Sequence, residues 1–277
     1  MALTGAMSAG ISGLKAHMEA LNTVGNNVAN VNTYGYKPGR VTFRESIYSP
    51  QAAGSAGTNM VGGTNPRQTG YGCSIGTIDL DMTTSSLEST GMPTDCFIQG
   101  DGFFLVGPKD VDVNNAEDAK ALSLSRVGDF RFDSDGYLVD GAGNVVYGFV
   151  TCNMDGADQA DEAGTNGDGI STQLVPIRLP MKAVGDAAQG DIKPGDALFP
   201  GVDDTGHNVP AEEGTDAENS TGDCIAYNSL KIDSNGQVSC VNDDTGDPVV
   251  VGYIALGKVT NPNGLEHTEG PYFTAGD

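Results

Sequence analysis

The chain opens on a run of large apolar residues at helical spacing. Met7, Ile11, Leu14, Met18 and Leu21 step by four, three, four and three, and Val24, Val28 and Val31 continue the stripe. This is the heptad pattern of a helix that packs along another surface. Small residues fill the positions between (Ala6, Ser8, Ala9, Ala16, Ala20), and they let a neighbour approach closely. Gly5, Gly10, Gly13 and Gly25 each cost a helix about 1 kcal/mol relative to Ala. A helix so weakened depends on packing for its stability. The spacing predicts a helix over residues 1–32. The only other plausible helix is a short one around Ala116–Leu122, so the seam has no evident mate. Its partner is then another molecule or a missing segment, or else the helix packs on the chain's own β-domain.

After Pro38 the helical period disappears and the fold class reads as mainly β with one N-terminal helix. Residues 33–72 read as an extended connector, with Gln51–Gly70 a loop rich in Gly, Ala, Ser, Thr and Asn. Residues 73–152 read as the first part of a hairpin-rich β-domain. Within it Ile75–Met82 alternates, with Ile75, Thr77, Asp79 and Asp81 on one face and Gly76, Ile78, Leu80 and Met82 on the other. Cys96–Gln99 and Phe103–Val106 read as strands joined by a tight turn at Gly100, Asp101 and Gly102, where glycine supplies positive φ. Residues 153–222 form a small acidic Gly- and Asp-rich insertion holding one strand-like island, Leu174–Leu179. Residues 223–277 complete the β-domain.

The two β segments echo each other. Phe132-Asp-Ser-Asp-Gly-Tyr-Leu138 leads to Val145-Val-Tyr-Gly-Phe149, and Ile232-Asp-Ser-Asn-Gly-Gln-Val238 leads to Val249-Val-Val-Gly-Tyr253. Each is a hairpin with its turn at Asp135-Gly136 or Asn235-Gly236, a strong hairpin signal. The β-domain is therefore expected to contain two related hairpin units.

The charge narrows the function. With 37 acids against 14 bases the net charge is −23. Residues 1–100 contribute −1 and residues 101–277 contribute −22. Nucleic acid and anionic membrane surfaces both require a basic footprint, so neither is an expected partner. No apolar run reaches the ~18 residues of a membrane span. The five cysteines (Cys73, Cys96, Cys152, Cys224, Cys240) show no C-x-x-C spacing and read as free structural thiols. His17, His207 and His267 are isolated, and no hydrolase, metalloprotease or nucleotide-loop motif is present. No catalytic residue, cofactor or metal site is expected. Asp133-Ser134-Asp135-Gly136 resembles part of a calcium loop but lacks the first Asp and the closing Glu. Asp155, Asp158, Asp161 and Asp168 offer a second set of loop acids. They leave open a secreted acidic, calcium-dependent binding module. An enzyme acting on polysaccharide has only the surplus of acids in its favour.

The segment Asn26-Asn27-Val28-Ala29-Asn30-Val31-Asn32-Thr33-Tyr34-Gly35-Tyr36-Lys37 resembles the flagellar axial proteins, the rod, hook and hook-associated proteins of bacteria. Their N-terminal mark is a small-residue helix ending in N-N-x-A-N-x-x-T-x-G-[YF]-K. The stretches Gly62–Gln68, Ser86–Gly91, Ile98–Phe104, Ser125–Phe130 and Ile254–Phe273 extend the likeness, most to hook-type members and next to the distal rod. The resemblance implies a structural, non-enzymatic subunit with no cleaved signal. It implies export through the flagellar type III apparatus and self-assembly into a hollow helical tube with other axial, cap and junction proteins. The seam residues Met7, Ile11, Leu14, Met18, Leu21 and Val28 would face the inner helical layer. Asn26, Asn27, Asn30, Asn32, Gly35 and Tyr36 would shape the turn out of the helix. Members continue beyond the region of Tyr272 into a C-terminal amphipathic helix that pairs with the N-terminal one. This sequence stops at Asp277, so that helix is expected to be absent here.

Overall fold

The computed structural model describes residues 2–83, 89–109, 120–152, 169–171, 173–183, 197–198, 220–268 and 270–275. They divide into two units, Met1–Thr83 and Thr84–Asp277. No described helix is long and apolar enough to cross a membrane.

In the first unit a single helix, α1 (Ala2–Ala29), precedes β1 (Gly39–Glu45), β2 (Tyr48–Ala52), β3 (Arg67–Gly70) and β4 (Cys73–Leu80). β1 pairs antiparallel with β4, and β2 with β3. Residues 33–72 are thus more than a connector. They hold a hairpin nested inside another, and β4 completes the outer one. The inner hairpin hides from a hydrophobic pattern search because polar bonds hold it. Ser55 and Thr64 exchange main-chain hydrogen bonds of 2.9 and 3.0 Å, and the Gln51 amide donates to the Thr69 hydroxyl at 2.8 Å.

The outer hairpin has two unlike faces. A register shift sets Ile78 opposite Val41 and Ile75 opposite Phe43. Val41 and Phe43 are two apart and share a face, so Ile75 and Ile78 share it too. This corrects the simple alternation expected for β4, because a bulge adds the residue that restores the face. The other face carries a polar ladder. Arg40 pairs with Asp79 at 3.4 Å, the Thr42 and Thr77 hydroxyls meet at 2.8 Å, and Arg44 Nε donates to Ser74 Oγ at 3.1 Å.

The second unit is β throughout its described residues apart from one 3-10 turn at Pro262–Gly264. Its strands before the acidic insertion are β5 (Phe103–Gly107), β6 (Ser123–Ser125), β7 (Arg131–Phe132), β8 (Leu138–Val139) and β9 (Val145–Cys152). Within or bordering the insertion lie β10 (Gly169–Ile170), β11 (Val175–Pro176), β12 (Met181–Ala183), β13 (Ala197–Leu198) and β14 (Ser220–Cys224). Then come β15 (Tyr227–Ile232), β16 (Gln237–Asn242), β17 (Pro248–Ile254), β18 (Leu256–Gly257), β19 (Leu265–His267) and β20 (Tyr272–Ala275). A 13-stranded sheet runs β15-β16-β17-β9-β5-β6-β20-β19 along its main path. β12, β13 and β14 form a small separate sheet. The short helix expected at Ala116–Leu122 falls mostly outside the described residues, and Lys120 and Ala121 sit in a turn.

Two readings of the second unit need correction or sharpening. Cys96–Gln99 is not a strand. Only Asp95 bridges to Asp129, and the Cys96 N–H donates to Gly128 O at 2.8 Å. The sequence echo, by contrast, is a structural repeat. β7-β8-β9 and β15-β16-β17 are equivalent three-strand meanders, and β9 pairs with β17. Exchanging equivalent residues turns the pair Gly148–Ile254 into the pair Gly252–Val150, so a local two-fold axis passes between Phe149 and Tyr253.

At this crossing the two glycines are required by space. A Cβ on Gly148 would lie 2.2 Å from Tyr253 O, and one on Gly252 would lie 2.5 Å from Phe149 O. Beneath the crossing, Phe104, Leu138, Val146, Ile177, Val238 and Val251 form the buried core. We expect Gly252→Ala to lower stability by about 1–3 kcal/mol through overpacking. Denaturant unfolding followed by tyrosine fluorescence checks this, with Gly62→Ala as a control, since a Cβ there meets nothing within 4 Å.

Candidate functional site

The site begins with the way α1 packs. Its inward stripe is Gly5, Ala9, Ser12, Ala16, Ala20, Thr23 and Asn27, all buried or half-buried. These residues recur every three or four positions, as one helical face requires. Ala16 is only 4% exposed. The Ser12 hydroxyl donates to Ala9 O at 2.9 Å and lies 3.3 Å from Tyr71 O. A Cβ on Gly39 would touch Thr23 Cγ2 at 3.1 Å, and the His17 and Phe43 rings lie 5.2 Å apart. Small residues therefore bring the helix close to the outer hairpin.

The large apolar stripe points elsewhere. Positions 5 and 7, 9 and 11, 12 and 14, 16 and 18 differ by two residues, roughly 200° around a helix of 3.6 residues per turn. Met7, Ile11, Leu14, Met18, Leu21, Val24, Val28 and Val31 are all exposed, Leu14 at 64% and Leu21 at 67%. The helix does pack on the chain's own β-structure, but through its small face. The seam remains free within the described residues. The sequence contained both stripes, and a search for large apolar residues finds only one of them.

The motif residues at the helix end form a hydrogen-bonded buckle. Asn27 clamps Gly39 from both sides: its Nδ2 donates to Gly39 O at 2.8 Å, and its Oδ1 accepts the Gly39 N–H at 3.0 Å. The Tyr36 hydroxyl donates to the same Oδ1 at 2.9 Å and accepts from Asn26 Nδ2 at 3.2 Å. Burial raises the Tyr36 phenol above its usual range, so it stays a donor. Asn30 Nδ2 donates back to Asn26 O at 3.0 Å, and the Thr33 hydroxyl donates to Asn30 Oδ1 at 3.2 Å. Gly35 takes φ +71°, the left-handed conformation a helix exit favours. Lys37 is buried, and its ammonium donates to Thr83 O at 2.9 Å, tying the end of the unit to the helix exit. Ala29 and Asn32 are exposed at the helix end.

The turns of the second unit share one design. Asp133 Oδ1 accepts the N–H groups of Asp135 and Tyr137 at 2.8 and 3.1 Å, and the Gly136 N–H closes onto Asp133 O. Asp233 repeats this on Asn235 and Gln237 at 2.8 and 3.1 Å, with Gly236 at φ +77°. Asp140 forms a third copy over Ala142 and Asn144, and Asn242 begins a related turn by accepting the Asp244 N–H. The Asp140 turn keeps the same spacing, with Gly143 three residues on, but its Gly-Ala-Gly composition hides the repeat, and the Asn242 loop is one residue longer. At the Gly100–Gly102 turn, Arg126 Nη1 donates to Gly100 O at 2.9 Å, and its guanidinium lies 4.9 Å from the centre of the Phe103 ring.

These bonds bear on the calcium reading. Lys109 Nζ lies 3.3 Å from Asp133 Oδ2 and 2.7 Å from Asp135 Oδ2. The loop carboxylates are thus engaged by the chain's own donors. No group of three or more His, Cys, Asp or Glu among the described residues could hold a metal ion. Asp155, Asp158, Asp161 and Asp168 lie outside the described residues. Cys73, Cys96, Cys224 and Cys240 are free thiols. Burial, with Asp95 nearby, pushes Cys96 up to about 12, and burial pushes Cys240 up to about 11. Neither forms the reactive thiolate near neutral pH.

Comparison with known proteins gives a consistent kinship. The model of the family described as flagella basal body rod protein matches residues 7–37, the outer stripe of α1 together with the buckle. The flagellar basal-body rod protein FlgG of Bacillus subtilis is 41% identical over 147 residues, which is 53% of this chain and 50% of that protein. The flagellar hook protein FlgE of Borreliella burgdorferi is 36% identical over 169 residues, 61% of this chain and 35% of that protein. The flagellar hook protein FlgE of Treponema pallidum is 34% identical over 181 residues, 65% of this chain and 35% of that protein. The chain spans about half the length of the rod relative and about a third of these hook relatives.

Two tests address the local geometry. Asn27→Ala removes both bonds to Gly39 and should lower the protection of the Gly39 amide by about 1–2 kcal/mol, read by hydrogen exchange. The Asp133 turn has its own pH signature. Burial pushes the Asp133 carboxyl up, but the Tyr137 and Asp135 amides and the Lys109 ammonium outweigh it and hold the group below its usual range. A carboxyl depressed by folding adds stability above its unfolded value, and that stability is lost as pH falls through the folded value. The Asp135 and Tyr137 amide resonances should therefore shift together only at pH values below the ordinary carboxylate range.

Proposed function

We propose that this chain, a relative of the flagellar rod and hook proteins, is a structural subunit of the bacterial flagellum that polymerises helically into a hollow tube, the hook in the first instance. One observation carries the reading. A helix commits its small-residue face to its own hairpin and leaves a full heptad stripe of large apolar residues exposed. Such a stripe is costly in water and is explained when copies bury it against one another. Contacts of this head-to-tail kind that do not close on themselves build open filaments. Met7, Ile11, Leu14, Met18, Leu21 and Val28 would then make the inner helical layer. The buckle at Asn26, Asn27, Asn30, Thr33, Gly35, Tyr36 and Lys37 would fix the direction in which the helix leaves the rest of its unit. The second unit, with its turns at Gly100–Gly102, Asp135-Gly136 and Asn235-Gly236, would build the tube wall.

The partners in this reading are further copies of the chain, other axial, cap and junction proteins, and the flagellar export apparatus. The place is the hook and basal body, reached by type III export. The role is structural and not enzymatic. The rod relative, identical at 41% of aligned positions, supports the distal rod as the second reading. The two differ mechanically, since a hook must bend as it turns and a rod must not. Curved tubes in electron micrographs favour the hook, and straight rigid ones favour the rod. The calcium-dependent module is the weaker reading, because Asp133 and Asp135 already bond Lys109 and main-chain amides.

The seam is directly testable. Leu14→Asp combined with Leu21→Asp should abolish incorporation into flagellar structures while the second unit keeps its near-ultraviolet circular dichroism. Normal incorporation of the double variant would overturn the seam reading.

A further inference from the structure

The two units differ sharply in charge. Residues 1–83 hold four acids (Glu19, Glu45, Asp79, Asp81) and five bases (Lys15, Lys37, Arg40, Arg44, Arg67), for a net charge of +1. Residues 84–277 hold the other 33 acids and nine bases, for a net charge of −24. Over residues 1–32 the only side chains that can carry charge are Lys15, His17 and Glu19. The exposed apolar stripe is therefore almost free of charge. In the second unit the described ion pairs are Lys109 with Asp133 and Asp135, and Lys182 with Asp244. With 33 acids against nine bases, the unit has far more carboxylates than its own cations can neutralise.

We infer that ionic strength gates self-association of this chain: the first unit supplies an apolar contact, and the second supplies a like-charge repulsion that small cations must screen before copies can pack. This rests on the self-assembly reading above and adds its regulation. The two forces respond to salt in opposite ways. Repulsion between exposed charges reaches about 30 Å at 0.01 M salt, about 10 Å at 0.1 M and about 3 Å at 1 M. Burial of apolar surface does not weaken with salt of this kind and strengthens with strongly excluded ions. At low salt each copy brings a unit of −24 to the encounter, and the copies repel. At high salt only the stripes matter. The gate requires this screening to be diffuse, and among the described residues no acids cluster as metal ligands. Divalent cations should act at lower concentration than sodium, with magnesium and calcium equivalent.

Static light scattering of the full chain tests this. The second virial coefficient is measured from 20 mM to 1 M NaCl, and in MgCl2 and CaCl2. Three proteins are compared: the parent; a variant with Asp203, Asp204 and Asp216 changed to Asn and Glu212, Glu213 and Glu218 to Gln; and Leu14→Gln with Leu21→Gln. The parent should pass from repulsion to attraction as salt rises. The charge-reduced variant should cross at about twofold lower NaCl. The Leu14 and Leu21 variant should keep the low-salt repulsion and lose the high-salt attraction. A crossing point unmoved by the charge reduction overturns the gate. So does a saturable response to calcium that magnesium does not share, since that is chelation. Salt-dependent repulsion without attraction at any salt concentration overturns the self-assembly reading instead, and so tells the two failures apart.

Discussion

Side-chain oxygens of Asp and Asn that accept main-chain N–H groups hold both units in shape. Asn27 does this for the helix exit, where its carboxamide mimics a strand and receives Gly39 from both sides. Asp133, Asp140 and Asp233 do it for hairpin turns, each gathering two amides onto one oxygen. The reason lies in the composition. Apolar residues are 38% of the chain, Trp is absent and Gly numbers 40. With so modest a core, chain reversals cannot rely on burial and must satisfy their own polar groups locally. Part of the chain's acidity is therefore structural, because the described turns consume carboxylates one at a time.

This division explains what was legible in the sequence. The helix, the heptad stripe, the Asp-Gly and Asn-Gly turns and the repeat were readable because each has a fixed spacing. The nested hairpin at Tyr48–Gly70 was not, because its ladder consists of main-chain and hydroxyl bonds that leave no apolar alternation. The bulge in β4 was not, because a single inserted residue flips the apparent face of Ile75. Cys96–Gln99 looked like a strand because it is apolar, yet only Asp95 beside it finds a partner. The helix end was recognised by its motif, but the reason for the motif is spatial. Asn27 meets Gly39 twelve residues away, and no local pattern announces that contact.

The packing of α1 reverses the usual expectation for an amphipathic helix. Small residues lie inside and large ones outside, because close approach to a two-stranded sheet leaves little room for side chains. The outward stripe then has the character of a core surface without its core. Packing between copies, as proposed above, would bury this stripe. The near absence of charge over the same residues agrees with that, since an ionised group in a buried seam would be costly.

The two-fold relation between the meanders has a consequence for how such chains diverge. β9 and β17 meet at the axis, and the stretch joining the two copies leaves after Cys152 and returns at Tyr227. The central pairing depends on Gly148, Gly252 and their neighbours, and not on how far the chain travels between them. Loop-closure entropy rises only slowly with length. This stretch can therefore change in length or charge around its own core residues Val175, Ile177, Leu179 and Ile225, which keep their places in the interior.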